Sequence, residues 1–188
     1  MSDTITALDL PMLDPLPADI QKYFDICDDK LGLVPNVLKA YAFDMEKLRP
    51  FMAMYNELML GESGLSKLER EMIAVVVSSI NSCWYCQVAH GAAVRALSGN
   101  PALGEAMVMN WRMADLDARQ TAMLTFGERV AKASSETSET DRQALRDVGF
   151  TDRDIWDIAA TVGFYSMSNR MASAVGMQPN DDYHAQAR

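Results

Sequence analysis

Two cysteines and a histidine within one eight-residue stretch are the side chains best suited to chemistry in this sequence. They are Cys83, Cys86 and His90. On an α-helix, at about 100° per residue, these positions fall within about 60° of one another and share a face. The same geometry puts the two cysteine Cα atoms about 5 Å apart, inside the range that a disulfide tolerates. The spacing therefore suits a dithiol that cycles to a disulfide.

The place of each residue in the predicted helix favours the same chemistry. Cys83 would lie in the first turn, where free backbone N–H groups and the helix dipole lower the pKa of a thiol from about 8.5 toward roughly 3.5–7.5. His90, one turn beyond Cys86, can hydrogen-bond to that thiol or carry its proton. Trp84 and Tyr85 separate the cysteines and are candidates to line the pocket beside them.

Glu71 is the fourth candidate for the site. It lies twelve residues before Cys83, on the preceding predicted helix, among apolar residues. If the two helices form a hairpin, Glu71 returns alongside the cysteine helix. A carboxylate in apolar surroundings has a raised pKa and can accept a proton near neutral pH. The alternative is a first-turn acid that complements the helix dipole, although Glu69 already fills the capping role.

Other interpretations of the cysteine motif fit less well. A c-type haem site needs a histidine directly after the second cysteine, whereas here the histidine follows four positions later. Zinc requires a fourth ligand; Glu71 could supply it, but three ligands on one rigid helical face do not readily form a tetrahedron. A thioredoxin-like site needs a preceding strand. The structural alternative is two small buried thiols and a core histidine.

A helical period recurs along the chain while strand signals are weak, which predicts an all-α fold. The predicted helices cover 18–30, 37–41, 44–60, 66–80, 83–97, 101–111, 118–132, 142–148 and 151–175. Pro50 must kink or begin the third of these, because it lacks the donor that a helix interior requires. Ser66 and Glu69 form a capping-box pattern, and Ser82 is predicted to cap the cysteine helix.

The predicted organisation is a single domain. An N-terminal arm (1–17) precedes a helical domain (18–178), and a polar tail (179–188) follows, predicted to be loose. A faint repeat at an offset of 85 residues pairs Ser66 with Thr151 and Glu69 with Asp154. It predicts two similar helix hairpins, of which only the first carries cysteines.

Composition excludes several classes of function. Lys and Arg number 17 and Asp and Glu 26, so the formal net charge is 17 − 26 = −9. An acidic chain is a poor partner for nucleic acid or for an anionic membrane surface. The absence of a signal-peptide pattern favours a cytoplasmic protein. Three cysteines do not form a disulfide scaffold, and Cys27, among aspartates, is predicted to be a core or half-buried thiol.

The motif resembles the alkylhydroperoxidase D-like branch of the carboxymuconolactone decarboxylase superfamily, and in particular its peroxidase-related members. Glu71, an interval of twelve, and the Cys83, Cys86, His90 spacing carry the resemblance. It extends to residues 32–36 (Gly-Leu-Val-Pro-Asn) and to Asn169-Arg170. It covers most of the chain, from about position 16 to 176.

The resemblance implies an all-α homo-oligomer, a trimer or a hexamer built as a trimer of dimers, with its active site beneath the cysteine helix. Cys86 would be the peroxidatic cysteine and Cys83 the resolving one, and Glu71 and His90 would form the proton relay. The substrate would be hydrogen peroxide or an organic hydroperoxide, and a dithiol protein, lipoylated in some relatives, the reductant. No cofactor or metal would be needed. Tyr85 replaces a histidine found in alkylhydroperoxidase D itself, and tyrosine is a poor base at neutral pH.

Two functions other than a thiol peroxidase stay open on the sequence. One is a non-redox lyase of the decarboxylase type, which would use acid and base residues on a lactone. The other is a metal-binding or redox-sensing module, in which the cysteines hold an ion or report oxidation to a partner.

Overall fold

Helices are the regular secondary structure in the computed structural model, which describes residues 4–188; the first three residues of the predicted arm lie outside this range. The α-helices within it are α1 (Ala18–Leu31), α2 (Asn36–Tyr41), α3 (Met45–Tyr55), α4 (Lys67–Ile80), α5 (Trp84–Ser98), α6 (Pro101–Asn110), α7 (Ala118–Ala133), α8 (Glu139–Asp147), α9 (Asp152–Ala174) and α10 (Asp182–Ala185). The all-α prediction is confirmed. None of the helices in the described range has the length and apolar character that crossing a membrane requires.

The predicted helices are present, with small shifts at their ends. Pro50 lies inside α3, which begins at Met45, so it does not begin the helix. A π-helical turn at Asn56–Leu60 continues α3. Short 3-10 turns follow α6 and α7.

The central element of the core is α4, which packs against α5, α6, α7 and α9. Residues 72–78 of this helix are all buried. A helix that is apolar on every side needs neighbours on every side, and this composition therefore places α4 at the centre. Leu124 of α7 and Ile158 of α9 belong to the same core cluster.

Capping boxes begin both helices of the predicted repeat. At α4 the Ser66 Oγ accepts from the Glu69 N–H at 3.1 Å, and the Ser66 N–H donates to Glu69 Oε2 at 2.7 Å. At α9, Thr151 and Asp154 make the equivalent pair of bonds at 3.2 and 2.7 Å. The repeat is therefore real at these helix starts.

The second predicted hairpin does not form. The first unit breaks at Asn81 and Ser82, which separate α4 from α5. The positions 85 residues later are Ser166 and Met167, and α9 continues through both. Methionine is a good helix former and nothing at this point of the second unit ends the helix.

The turn between α4 and α5 differs by one residue from the prediction. Cys83, not Ser82, is the N-cap of α5. Ser82 has a φ of 51°, a left-handed conformation that costs an L-residue about 1–2 kcal/mol, and it reverses the chain so that the Cys83 N–H donates to the Ser78 carbonyl at 2.9 Å. Cys83 thereby sits at the N-terminus of the helix.

The C-terminal segment is docked, contrary to the prediction of a loose tail. Arg95, buried on α5, donates from Nε to the Gln186 carbonyl at 3.0 Å and from Nη2 to the Tyr183 carbonyl at 2.8 Å. The Asn180 side chain accepts from the Asn36 N–H at 2.8 Å. The polar composition predicted a loose tail, but the bonds from Arg95 are accepted by backbone carbonyls, which do not depend on composition.

Replacing Arg95 by methionine should release this segment. Two charge-assisted bonds are lost, so we expect the last residues to open about tenfold more often or more. Time-resolved limited proteolysis with mass spectrometry measures the change. Arg170→Met is the matched control, since Arg170 is exposed and bonds only to Ser166 of its own helix among the described contacts. Equal cleavage of both variants and the parent protein would show that Arg95 does not hold the segment.

Candidate active site

Glu71 and His90 form a buried pair between α4 and α5. His90 Nδ1 lies 2.6 Å from Glu71 Oε2, and the two side chains are 14% and 12% exposed. With the Glu71 carboxylate as the acceptor, Nδ1 carries the hydrogen of this bond, and in the neutral imidazole Nε2 is then the acceptor nitrogen. The hairpin thus returns Glu71 alongside the cysteine helix, as the spacing predicts.

This pair lies in the wall of a cavity of about 630 Å³. Cys86 lines the cavity together with His90, one turn further along the same face of α5. Most of the remaining wall is apolar or aromatic. Its aromatic members are Tyr23, Phe51, Tyr55, Tyr85, Phe164, Tyr165 and Tyr183. A thiol, an acceptor nitrogen and an apolar chamber therefore meet at one place.

The two motif cysteines have different positions relative to this cavity. Both are almost completely buried, Cys83 at 1% and Cys86 at 2% exposure. Cys86 lines the cavity and Cys83 does not, although both belong to one buried cluster with Ala172 and Met177. All three cysteines of the chain fall in the described range and are free thiols. A molecule in the cavity would meet Cys86 first.

The pKa values of the two thiols move in opposite directions. The Cys86 thiol, by hydrogen bonding, is the main cause that lowers the pKa of Cys83 to about 6; burial opposes this, and the Cys86 backbone amide and the Ser173 hydroxyl reinforce it. The same interaction with Cys83, followed by burial, raises the pKa of Cys86. The two shifts share one main cause, the hydrogen bond between the two thiols, and their directions favour Cys83 as the thiol of the pair that ionises first.

The fold is similar to that of known proteins. The profile of the carboxymuconolactone decarboxylase family matches residues 46–129. The crystal structure of an uncharacterized peroxidase-related protein from Silicibacter sp. TM1040 is 66% identical, covers 100% of both chains and superposes with a TM-score of 0.96. This chain belongs to the alkylhydroperoxidase D-like branch of the carboxymuconolactone decarboxylase superfamily.

Two further structures show the range of similarity. The alkylhydroperoxidase AhpD core of an uncharacterized peroxidase-related protein from Ralstonia eutropha JMP134 is 44% identical over 100% of this chain and 98% of its own, with a TM-score of 0.95. A debrominase variant in complex with 2,3,4-tribromopyrrole shares the fold, with a TM-score of 0.78 at 16% identity over 99% and 96% of the two chains. A comparison with functionally curated proteins found no match.

The two residues between the cysteines of this alkylhydroperoxidase D-like chain lie in different places. Tyr85 lines the cavity, and its hydroxyl accepts from the Val37 N–H at 3.0 Å, which ties α5 to the start of α2. Trp84 does not line it: its side chain is 55% exposed and lies beside His184 on the surface. The prediction for Trp84 fails because it precedes Cys86 by two residues, or about 200° around the helix.

The cavity tyrosines are neutral hydroxyls and not bases. Burial raises the pKa of Tyr55, Tyr85, Tyr165 and Tyr183 far above the ordinary value of 10.0. Tyr85, in the place of the family histidine, therefore cannot relay a proton near neutral pH. Apart from tyrosines, cysteines and lysines, the titratable side chains that line the cavity are His90 and Glu71.

A polar network on α9 supports Cys86 from the other side. Asn169, fully buried, donates from Nδ2 to Ser78 Oγ at 3.0 Å and accepts from Asn81 Nδ2 at 3.0 Å. Hydrogen bonds from Asn169 and Ser168 offset part of the rise in the pKa of Cys86. The sequence predicted no role for Asn169, because a buried amide 83 residues from a candidate cysteine has no local signal in the sequence.

Cys27 of α1 lies in the same cavity wall, which the sequence did not indicate. It is half-buried, and burial is the main cause that raises the pKa of its thiol. Cys27 is therefore protonated and a weak nucleophile near neutral pH. Within residues 4–188, His, Cys, Asp and Glu side chains form no group of three or more arranged to hold a metal ion.

The reduced protein should titrate a single thiolate near pH 6. Because the pKa of Cys83 is lowered to about 6 and those of Cys86 and Cys27 are raised, thiolate forms on Cys83 alone as the pH rises through 6. Ultraviolet thiolate absorbance measures it. Cys27→Ser should keep the transition and Cys83→Ser should lose it. A transition that survives in Cys83→Ser would place the thiolate elsewhere.

Proposed function

We propose that the protein is a thiol peroxidase that reduces hydroperoxides through Cys86 and Cys83. The proposal rests mainly on one observation. The Cys86 thiol and the paired His90 and Glu71 side chains line the same cavity, and Cys83, a second thiol with a lowered pKa, lies next to Cys86. The family and the peroxidase-related names of the similar structures support the same class of enzyme.

The first step oxidises Cys86. His90 Nε2 takes the thiol proton, and the carboxylate of Glu71 stabilises the imidazolium that results. The Cys86 thiolate attacks one oxygen of the hydroperoxide, the O–O bond breaks, and its electron pair leaves with the alkoxide. The alkoxide takes the proton from His90 and departs as an alcohol, or as water from hydrogen peroxide. Cys86 becomes a sulfenic acid.

The second step forms a disulfide. The Cys83 thiolate attacks the Cys86 sulfur, the S–O bond breaks, and hydroxide leaves and is protonated to water. Cys83 is suited to this step because its lowered pKa keeps it ionised near neutral pH. A dithiol then exchanges with the disulfide, becomes oxidised itself and returns both cysteines to thiols. We propose a dithiol protein, possessing a lipoyl group or a cysteine pair, as that reductant.

Mass spectrometry of the fully reduced protein tests the proposal. One equivalent of cumene hydroperoxide should remove two hydrogens per chain, and peptide mapping should locate a bridge between Cys83 and Cys86. Cys27 shares the cavity and is the internal control, since an indiscriminate oxidant would modify it too. Slow oxidation, or oxidation of all three thiols alike, would contradict the proposal.

A lyase is the second candidate, because a buried histidine–carboxylate pair also serves acid–base chemistry on a lactone. Such a reaction does not need the cysteines. The double variant Cys83→Ser/Cys86→Ser separates the two functions. Lactone decarboxylation that survives in this variant would replace the peroxidase proposal.

A further inference from the structure

The cavity changes from buried to exposed along two of its helices. On α4, the Glu71 side chain is 12% exposed, whereas Lys67, one turn earlier, is exposed; both line the cavity. On α1, Cys27 is half-buried and Lys30, about one turn later, is exposed. The functional groups thus lie inside and the two lysines at the mouth, with Lys67 about 6 Å along the axis of α4 from Glu71.

Three of the other exposed residues that line the cavity are aliphatic. Ile26, Leu31 and Leu60 line the cavity and are 39%, 51% and 59% exposed. Exposed aliphatic side chains around the opening of an apolar chamber are typical of a site for an apolar ligand. A small polar oxidant such as hydrogen peroxide would gain nothing from this rim.

The two lysines are available to a ligand. Neither Lys30 nor Lys67 has an ion-pair partner among the residues that the structure describes. The carboxylate among the lining residues is Glu71, and it is held by His90. In a chain of net charge −9, the cavity wall therefore offers two exposed lysines with no ion-pair partner within residues 4–188.

The buried end of the cavity also has an unused polar group. Tyr165 lines it, edge-on to His90 with ring centroids 4.6 Å apart. Its hydroxyl is buried and has no hydrogen-bond partner within residues 4–188. Buried hydroxyls are normally paired, so this one marks a place where a ligand oxygen would be stabilised.

We propose that the cavity binds a single-chain amphiphile with one carboxylate, of the fatty-acid type. The apolar chain fills the chamber, the carboxylate stays at the mouth between Lys30 and Lys67, and a hydroperoxide on the chain is presented to Cys86. The presentation of a hydroperoxide to Cys86 rests on the proposed peroxidase function. The binding mode does not, and it can be measured with molecules that oxidise nothing.

Calorimetric titration of the reduced protein with hexanoate, octanoate and decanoate tests the binding mode. We expect affinity to rise about fourfold for each methylene that enters the cavity, until it is full. Hexanol and octanol should bind more weakly than the carboxylates of the same length. Equal binding of alcohol and carboxylate would overturn the assignment of the lysines, and no binding of either would overturn the site.

Two variants and one control locate the carboxylate. Lys30→Gln and Lys67→Gln should each weaken octanoate binding by about two- to fivefold, as for an exposed ion pair, and leave octanol binding unchanged. Lys22→Gln is the matched control, because Lys22 is exposed on α1 and does not line the cavity. Octanoate affinity that is equal in all three variants and the parent protein would contradict the proposal.

The enzymatic arm compares a fatty-acid hydroperoxide with its methyl ester. We expect the acid to have the higher kcat/KM, the double variant Lys30→Gln/Lys67→Gln to lose that preference, and Lys22→Gln, which lies outside the cavity wall, to keep it. Carboxylate binding without any peroxidase activity would refute the proposed function and keep the ligand class. Peroxidase activity without preference for the acid would refute the ligand class and keep the function.

Discussion

Replacing Cys86 by serine is expected to lower peroxidase turnover by about a thousandfold or more, to the level of the uncatalysed reaction. Cys86 is the motif cysteine that lines the cavity, so its sulfur is the one that a hydroperoxide reaches. Serine is nearly the same size but is not a nucleophile toward the O–O bond under these conditions. Steady-state consumption of cumene hydroperoxide with a dithiol reductant measures the loss.

Cys83→Ser should fail in a different way. Its Cys86 still reacts once with the hydroperoxide, but no second thiol follows, and a sulfenic acid accumulates at one equivalent per chain. A reagent selective for sulfenic acids, followed by peptide mapping, detects it. Cys27→Ser is the control and should retain turnover, since burial keeps the Cys27 thiol protonated.

The opposite assignment of the two cysteines has a distinct signature. Cys83 has the lower pKa, and a first attack by Cys83 would leave its sulfenic acid in the Cys86→Ser protein. We expect none there, because Cys83 is buried and does not line the cavity. A Cys83 sulfenic acid formed at the rate of the parent enzyme would reverse the two roles.

Replacing Glu71 by glutamine is expected to lower kcat/KM by about 10²- to 10⁴-fold, the usual contribution of general acid–base catalysis. Glutamine keeps the shape and an acceptor oxygen for His90 Nδ1–H but removes the negative charge. The imidazolium that forms when His90 takes the Cys86 proton then loses its counter-ion. Stopped-flow oxidation of the reduced protein by hydroperoxide isolates this step from the reductant.

Glu69→Gln is the matched control for the Glu71 variant. It removes one carboxylate from the same helix, but Glu69 caps α4 and pairs with Arg119 at 2.9 Å, and it does not line the cavity. We expect lower thermal stability with an oxidation rate close to that of the parent protein. If the two variants lose rate equally, Glu71 acts through the fold and not through His90.

Local sequence signals were sufficient for the hairpin that carries the site. The Ser66 capping box sets the start of α4, the break at residues 81–82 sets its end, and helix lengths then place Glu71 opposite His90. Helix periodicity is also enough to place Trp84 on the opposite side of the helix from Cys86, away from the cavity. The chemistry of the motif is therefore encoded within about twenty residues.

The remaining cavity wall could not be predicted in this way. Cys27 and Lys30 come from α1, and Tyr183 comes from the C-terminal segment, so each reaches the site by tertiary packing over a long stretch of chain. The docking of that segment depends on two backbone carbonyls that accept from Arg95, and carbonyls have no sequence signature. The shape and charge of the cavity mouth depend on these distant elements.

The hydrogen bond between the Cys86 and Cys83 thiols has a consequence for the redox equilibrium of the pair. A low pKa stabilises the dithiol form, because the thiolate exists only when the pair is reduced, and it has no counterpart in the disulfide. The reduction potential of the Cys83–Cys86 couple is thus expected to lie above that of a pair with ordinary thiols. Oxidised protein would then pass its oxidising equivalents readily to a more reducing dithiol, so the hydrogen bond between the two thiols favours reduction of the disulfide by such a partner.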